Sequence, residues 1–229
     1  MQIQAIKVQR LYLQVAQQLQ ALVADGVLTR GSRLPSERDL AGQFGVSRPT
    51  IREAMIALEI AGVVEVRSGS GVYVRGTGDT PGTLSESAGP GPFEILEARK
   101  LIEGETCALA AQRISDAQLR RLQELLDDMR EENRRETITE QADEKFHCLI
   151  AEAAGNSALT ATITWLWQLR NESEISTRFH QRVREEGSRP IVADHQAILD
   201  ALGRRDPDAS RAAMTRHLER VIATLLDEE

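Results

Sequence analysis

No stretch of the chain is apolar for long enough to cross a membrane, and the opening MQIQAIKVQR lacks the apolar core of a secretory signal, so a cytoplasmic protein is expected. Cysteine is nearly absent. Cys107 and Cys148 each lie in an apolar helical pattern and neither has a C-x-x-C partner, which favours buried thiols over a disulfide. There is no internal repeat of the solenoid kind and no H-E-x-x-H motif. Aromatic residues make up only 3% of the chain, so the clustering of both tryptophans in WLWQLR, Trp165 to Arg170, stands out. Histidine is scarce too, at four residues, and three of the four fall in apolar helical contexts.

What the chain does have is length for two domains, 229 residues, and an uneven charge. Up to Gly76 nine basic residues face six acidic ones, a balance of +3, so the remainder carries −10 of the overall −7. A basic head on an acidic body suits a polyanion-binding module joined to something that should avoid DNA.

The stretch from Leu34 to Val74 organises the head. Ser36 is placed to cap a helix ending near Phe44, Gly45 supplies a turn, and Ser47 caps a second helix with Pro49 in its first turn, which stops at Gly62. VVEV and GVYV then flank Arg67-Ser68-Gly69-Ser70, the signal for a hairpin. Before this, LYLQVAQQLQALVADG predicts a helix that packs the head through Leu11, Val15, Leu19, Leu22 and Val23. The sum is a winged helix-turn-helix over residues 1–75. Arg48 and Arg52, four apart, share the face that a recognition helix presents to the major groove, and Arg38 sits one helix earlier. Ser47 and Thr50 hydroxyls can bind phosphate, while Gly69 and Gly71 would let backbone approach a groove. The alternative is a winged helix used for protein contacts, with these arginines merely solvated.

The segments LPSERDL, GVSRPTIREAM and SGSGVYV resemble the DNA-binding module of the GntR family of bacterial transcription regulators, a likeness spanning about Leu11 to Val74. It implies Arg38, Arg48 and Arg52, with the wing tip at Ser68 and Gly69, as operator contacts.

Residues 76–92 hold five glycines and three prolines and read as a flexible linker. From 93 to 229 the pattern is helical: six amphipathic segments, one running unbroken from Ala158 to Glu186, predict an all-helical bundle. Asp143 and His147 are four apart and project from one helix face. His195 and His217 lie 22 residues apart, about 33 Å on one continuous helix. The break from Gly203 to Pro207, with Asp206 as N-cap, instead folds this stretch into an antiparallel hairpin that brings them to comparable depth. One Asp and three imidazoles offer oxygen and nitrogen ligation for zinc, nickel or manganese. The bland alternative is a set of separately hydrogen-bonded histidines. His180, in the polar TRFHQR, reads as a surface residue or a pocket wall.

DEKFHCLIAEAAGN, ADHQAIL and AAMTRHL look like the FCD effector domain of the fatty-acid-regulator subfamily of the GntR family. The likeness implies Asp143, His147, His195 and His217 as ligands of a divalent transition metal, zinc first, with open positions for a carboxylate effector. Arg99, in FEILEARKLIE, matches a characteristic arginine of this domain and would meet an anion bidentately; otherwise it forms a surface ion pair with Glu103. Trp167 would stack on a sugar face while Arg170 takes a carboxylate; core packing is the other role for at least one tryptophan. GPFEILEAR, GNSAL and WQLR are similar to the hexuronate-utilisation repressors, whose sister regulators answer to lactate, gluconate or other acids. The expectation is therefore a homodimeric repressor that leaves double-stranded operator DNA when a small carboxylate, best a hexuronate, binds. The rivals are a metal-dependent hydrolase, for which no clear general base is in sight, and a metal-sensing regulator.

Overall fold

The structure, a computed structural model, describes residues 10–67, 69–75, 89–135 and 141–227. The chain forms two compact units, Met1–Phe93 with Leu226–Glu229, and Glu94–Leu225. Most of the expected 76–92 linker and the wing-tip Ser68 lie outside the described residues.

In the first unit α1 spans Leu11–Ala24, α2 Glu37–Phe44 and α3 Arg48–Ile60. Ser36 accepts the Asp39 amide and Ser47 the Thr50 amide, so both anticipated caps form. Between them Gly45 takes a left-handed φ of 66°, which lets the chain turn sharply between the two helices. Strands β1, Val64–Arg67, and β2, Gly71–Val74, pair antiparallel from Val64 opposite Val74 to Arg67 opposite Gly71. The wing has a third member that the sequence pattern did not reveal. Leu34 N donates to Val72 O and Val74 N to Ser32 O, with Arg33 bridged to Tyr73.

Helix α1 packs against α3, but not through all the expected residues. Tyr12, Leu13, Val15, Ala16, Leu19 and Val23 are buried, whereas Leu11 and Leu22 are 57% and 37% exposed. At 100° per residue Leu11 and Leu22 fall together on the flank of the helix, away from the face centred on Ala16 and Leu19.

In the second unit α4 spans Pro92–Arg113, α5 Asp116–Arg134, α6 Gln141–Ala153, α7 Ser157–Glu172, α8 Glu174–Glu185, α9 Val192–Gly203 and α10 Pro207–Asp227. The expected unbroken helix from Ala158 is in fact two. Ser173 adopts an extended ψ of 121°, ending α7 and opening α8 without any glycine or proline to announce it. Buried Ile175 and Phe179 then point α8 back into the core. Helix α5 lies against α6 and α9, α6 against α7, and α7 against α8. The α9–α10 hairpin forms as anticipated: Asp206 Oδ1 accepts the Ala209 amide, and Arg205, at φ 54°, makes the turn. The Arg205 guanidinium holds that turn through the Ile114 carbonyl and Asp116.

Candidate metal centre and anion pocket

Three helices deliver the four ligand candidates. Asp143 and His147 come from one face of α6, His195 from α9 and His217 from α10. One ligand atom of each lies within 4.8 Å of all the others, and the three imidazoles are almost wholly buried. A metal with bonds of about 2.1 Å separates opposite ligands by about 4.2 Å, so a small inward adjustment would close the set round one ion.

The contacts of the rings are compatible with such an ion. His195 Nδ1 lies 3.0 Å from the Ile191 carbonyl and its Nε2 2.7 Å from Asp143 Oδ1. Both neighbours are acceptors, and a neutral imidazole has a single N–H. His147 Nδ1 is bound to Glu103 Oε2, while its Nε2, 3.5 Å from Asp143 Oδ1, is buried and makes no hydrogen bond. His217 Nδ1 stands 3.8 Å from Asp194 Oδ2, and Asp194 is held in turn by Arg220 at 2.9 Å. In each histidine Nδ1 faces an outer oxygen, which leaves Nε2 as the lone-pair atom for a cation, as in carboxylate–histidine–metal arrangements.

Glu103 and Asp194 are functional candidates that sequence reasoning missed. The signal for Glu103 was its position four after Arg99, read as the alternative of a surface ion pair. That pair exists at 2.6 Å, but both side chains are buried. Burial alone would raise the Glu103 carboxyl; Arg99 and His147 outweigh it and hold it down at about 2. Burial likewise disfavours the charged Asp143, yet His147 and His195 keep its carboxyl well below the usual range. His147 is raised despite burial, by Glu103 and Asp143, whereas burial and the neighbouring His195 lower His217 to about 4. Asp143 thus stays an ionised oxygen ligand at the centre of the three imidazoles.

Beside it lies a cavity of about 80 Å³ whose wall includes Asp143 and His217 together with Arg99, Arg170, Arg184 and Arg189. That is room for several waters or a small acid. Arg99 Nη2 is buried without a hydrogen bond. Burial draws Arg170 and Arg184 down to about 10, still charged at neutral pH. His180 is a wall of this cavity, one of the two places expected for it.

Trp167 departs from expectation. It is fully buried against Ala151 and Ile163, and the Arg99 and Arg170 guanidinium carbons lie 4.0 and 5.1 Å from its ring centre. The faces of the ring are committed to the core and to cations, so it orients the two arginines and is not itself a sugar platform. Trp165, by contrast, is 56% exposed.

On the head, Arg38, Ser47 and Gly69 are exposed and Arg48 and Thr50 half-buried. Ser47 and Thr50 hydroxyls contact each other at 2.9 Å as part of the cap. Arg52 does not stand open as expected: it is buried, with Nε donating to Glu37 Oε1 at 2.7 Å, and braces α3 to α2. Gly71 also has a different reason for being glycine. A Cβ there would come within 2.7 Å of the Arg33 guanidinium, at a φ of 107°.

Residues 11–74 match the family described as bacterial regulatory proteins, gntR family, and residues 94–220 match the FCD domain. The Uxu operon regulator of Haemophilus influenzae is 34% identical over 225 residues, covering 96% of this chain and 84% of that protein. The Exu regulon transcriptional regulator of Escherichia coli K12 is 36% identical over 224 residues, covering 96% and 86%. A putative L-lactate dehydrogenase operon regulatory protein of the same organism is 34% identical over 225 residues, covering 94% and 86%. These relatives are regulators and not enzymes, which removes the hydrolase alternative. With a winged helix-turn-helix ahead of a helical effector domain, the chain belongs to the gntR family of bacterial transcription regulators, in its FCD branch.

Proposed function

We propose that this regulator is a cytoplasmic homodimeric repressor whose FCD domain binds a hexuronate or closely related sugar acid at a metal-containing anion pocket, and that binding releases operator DNA. The observation that carries the reading is that Asp143 and His217, two of the four clustered ligand candidates, line one cavity with the buried, incompletely bonded Arg99 and with Arg170. The likeness to the Uxu and Exu regulators favours a hexuronate over other acids.

The four side chains would hold a divalent transition ion, zinc first, with nickel and manganese as alternatives. Such an ion would add positive charge and open coordination positions to the pocket. Arg99 offers a forked donor to a carboxylate, held in place by Glu103 on one side and the Trp167 ring on the other. Arg170 offers a second cation over the same ring. In the head, Arg38 and Arg48 take the operator contacts, with Ser47, Thr50, Ser68 and Gly69 near the backbone, and Arg52 acts through its brace on α2. A two-fold dimer presents two heads to two half-sites, and the ligand shifts the population toward dimers whose heads no longer fit both.

The test is fluorescence anisotropy on an operator fragment selected in vitro by the protein. D-glucuronate or D-galacturonate should lower operator affinity of metal-loaded protein by tenfold or more and have no effect after chelation. A hexuronate that binds yet leaves DNA affinity unchanged would overturn the scheme.

A further inference from the structure

The anion-binding groups account for one end of an acid, but the cavity wall carries polar groups that a carboxylate does not need. His180, on α8, is the clearest. Its ring touches Phe179 edge-on at 5.4 Å, and among the described residues its nitrogens make no hydrogen bond. Neither nitrogen is a buried orphan, and His180 lines the cavity, so a ligand held there is within reach of the ring. Burial, and then Arg170 and Arg99, push this imidazole well below its usual value, so it is neutral. A neutral ring has one donor and one acceptor. A carboxylate could use only the donor, whereas an alcohol, itself donor and acceptor, satisfies either nitrogen. Ser188 and Thr224 add hydroxyl-bearing side chains to the same wall. An alkyl chain would strip water from all three without replacing its hydrogen bonds.

We infer that His180 is a specificity-determining residue that hydrogen-bonds a hydroxyl group on the body of the ligand, so that the pocket selects polyhydroxylated acids over short or alkyl acids. This rests on the anion-pocket reading of the proposed function and names a residue that would enforce its sugar-acid class. Discrimination comes from the unsatisfied imidazole left behind when the hydroxyl is missing.

The experiment is calorimetric titration of metal-loaded full-length protein with D-glucuronate, D-gluconate, L-lactate and hexanoate, for the wild type, His180→Phe and His180→Gln. The wild type should prefer the polyhydroxylated acids by at least tenfold. His180→Phe should weaken glucuronate or gluconate by about tenfold and leave lactate and hexanoate unchanged, while His180→Gln, which keeps a donor and an acceptor, recovers part of the loss. Equal losses for all four acids would make His180 a structural residue and overturn the inference, as would no loss for any. Wild-type binding of lactate or hexanoate in preference to the sugar acids would overturn it while leaving the anion pocket standing. Failure of the wild type to bind any of the acids would overturn both.

Discussion

His195 stands between two oxygens, the Ile191 carbonyl and the Asp143 carboxylate, and a neutral ring cannot donate to both. The same logic extends outward to Glu103, which meets Arg99 on one side and His147 on the other. Glu103→Gln would keep the shape but remove the charge that fixes the His147 tautomer, and should weaken metal affinity about 10- to 100-fold in a chelator-competition titration. An unaltered affinity would remove Glu103 from the metal site, provided circular dichroism shows the variant folded. The thiols supply a control away from this chemistry. Burial pushes Cys107 up to about 12 and Cys148 up to about 11, so both are protonated at neutral pH. Iodoacetamide at pH 7.5 should label Cys107 little or not at all in the native protein, and rapid labelling mapped to Cys107 by peptide mass spectrometry would contradict its burial.

The two helices of the DNA-reading motif are joined by a buried charge. Glu37 opens α2 and pairs with Arg52 in the middle of α3, and with Arg48 at 3.8 Å. Arg52→Ala takes the 2.7 Å partner from a buried carboxylate and should destabilise the head by about 3 kcal/mol in urea unfolding. A loss of DNA affinity with no change in stability would instead favour a direct contact between Arg52 and DNA. The α9–α10 turn carries its own test. Asp206 caps α10 through the Ala209 amide, and Asp206→Ala should cost about 1 kcal/mol and lower Tm by a few degrees. The larger consequence is positional: this turn sets His195 and His217 with ring centres 4.4 Å apart. Metal affinity should therefore fall along with Tm, and a fall in Tm alone would show that the site tolerates a looser hairpin.

Metal binding at this site would be coupled to folding of the FCD unit, because four side chains from three helices meet only in the native state. An ion present at about 100 times its Kd should raise stability by roughly 2.7 kcal/mol, and chelation should lower Tm accordingly. A melting curve indifferent to chelator would sink the metal reading and leave the DNA-binding head untouched. In the head, the neutralised phosphates should make operator affinity fall steeply with salt.

Caps, turns and periodicity act over a few residues, and the sequence alone determined what depends on them. Ser36, Gly45 and Ser47 marked the helix-turn-helix, VVEV and GVYV marked the wing, and Asp206–Pro207 marked the hairpin that brings two histidines together. The Asp143–His147 spacing exposed half of the candidate site in the same way. Burial and partner choice depend on what other segments bring, and only the tertiary fold decided them. It turned Arg52 inward to Glu37, seated Trp167 beneath two guanidinium groups, and sank the Arg99–Glu103 pair into the core. It also broke the α7–α8 segment at Ser173, after which α8 buries Ile175 and Phe179. Glu103 and Asp194 became candidates for the same reason. Their partners are histidines on other helices, and no local pattern encodes that contact.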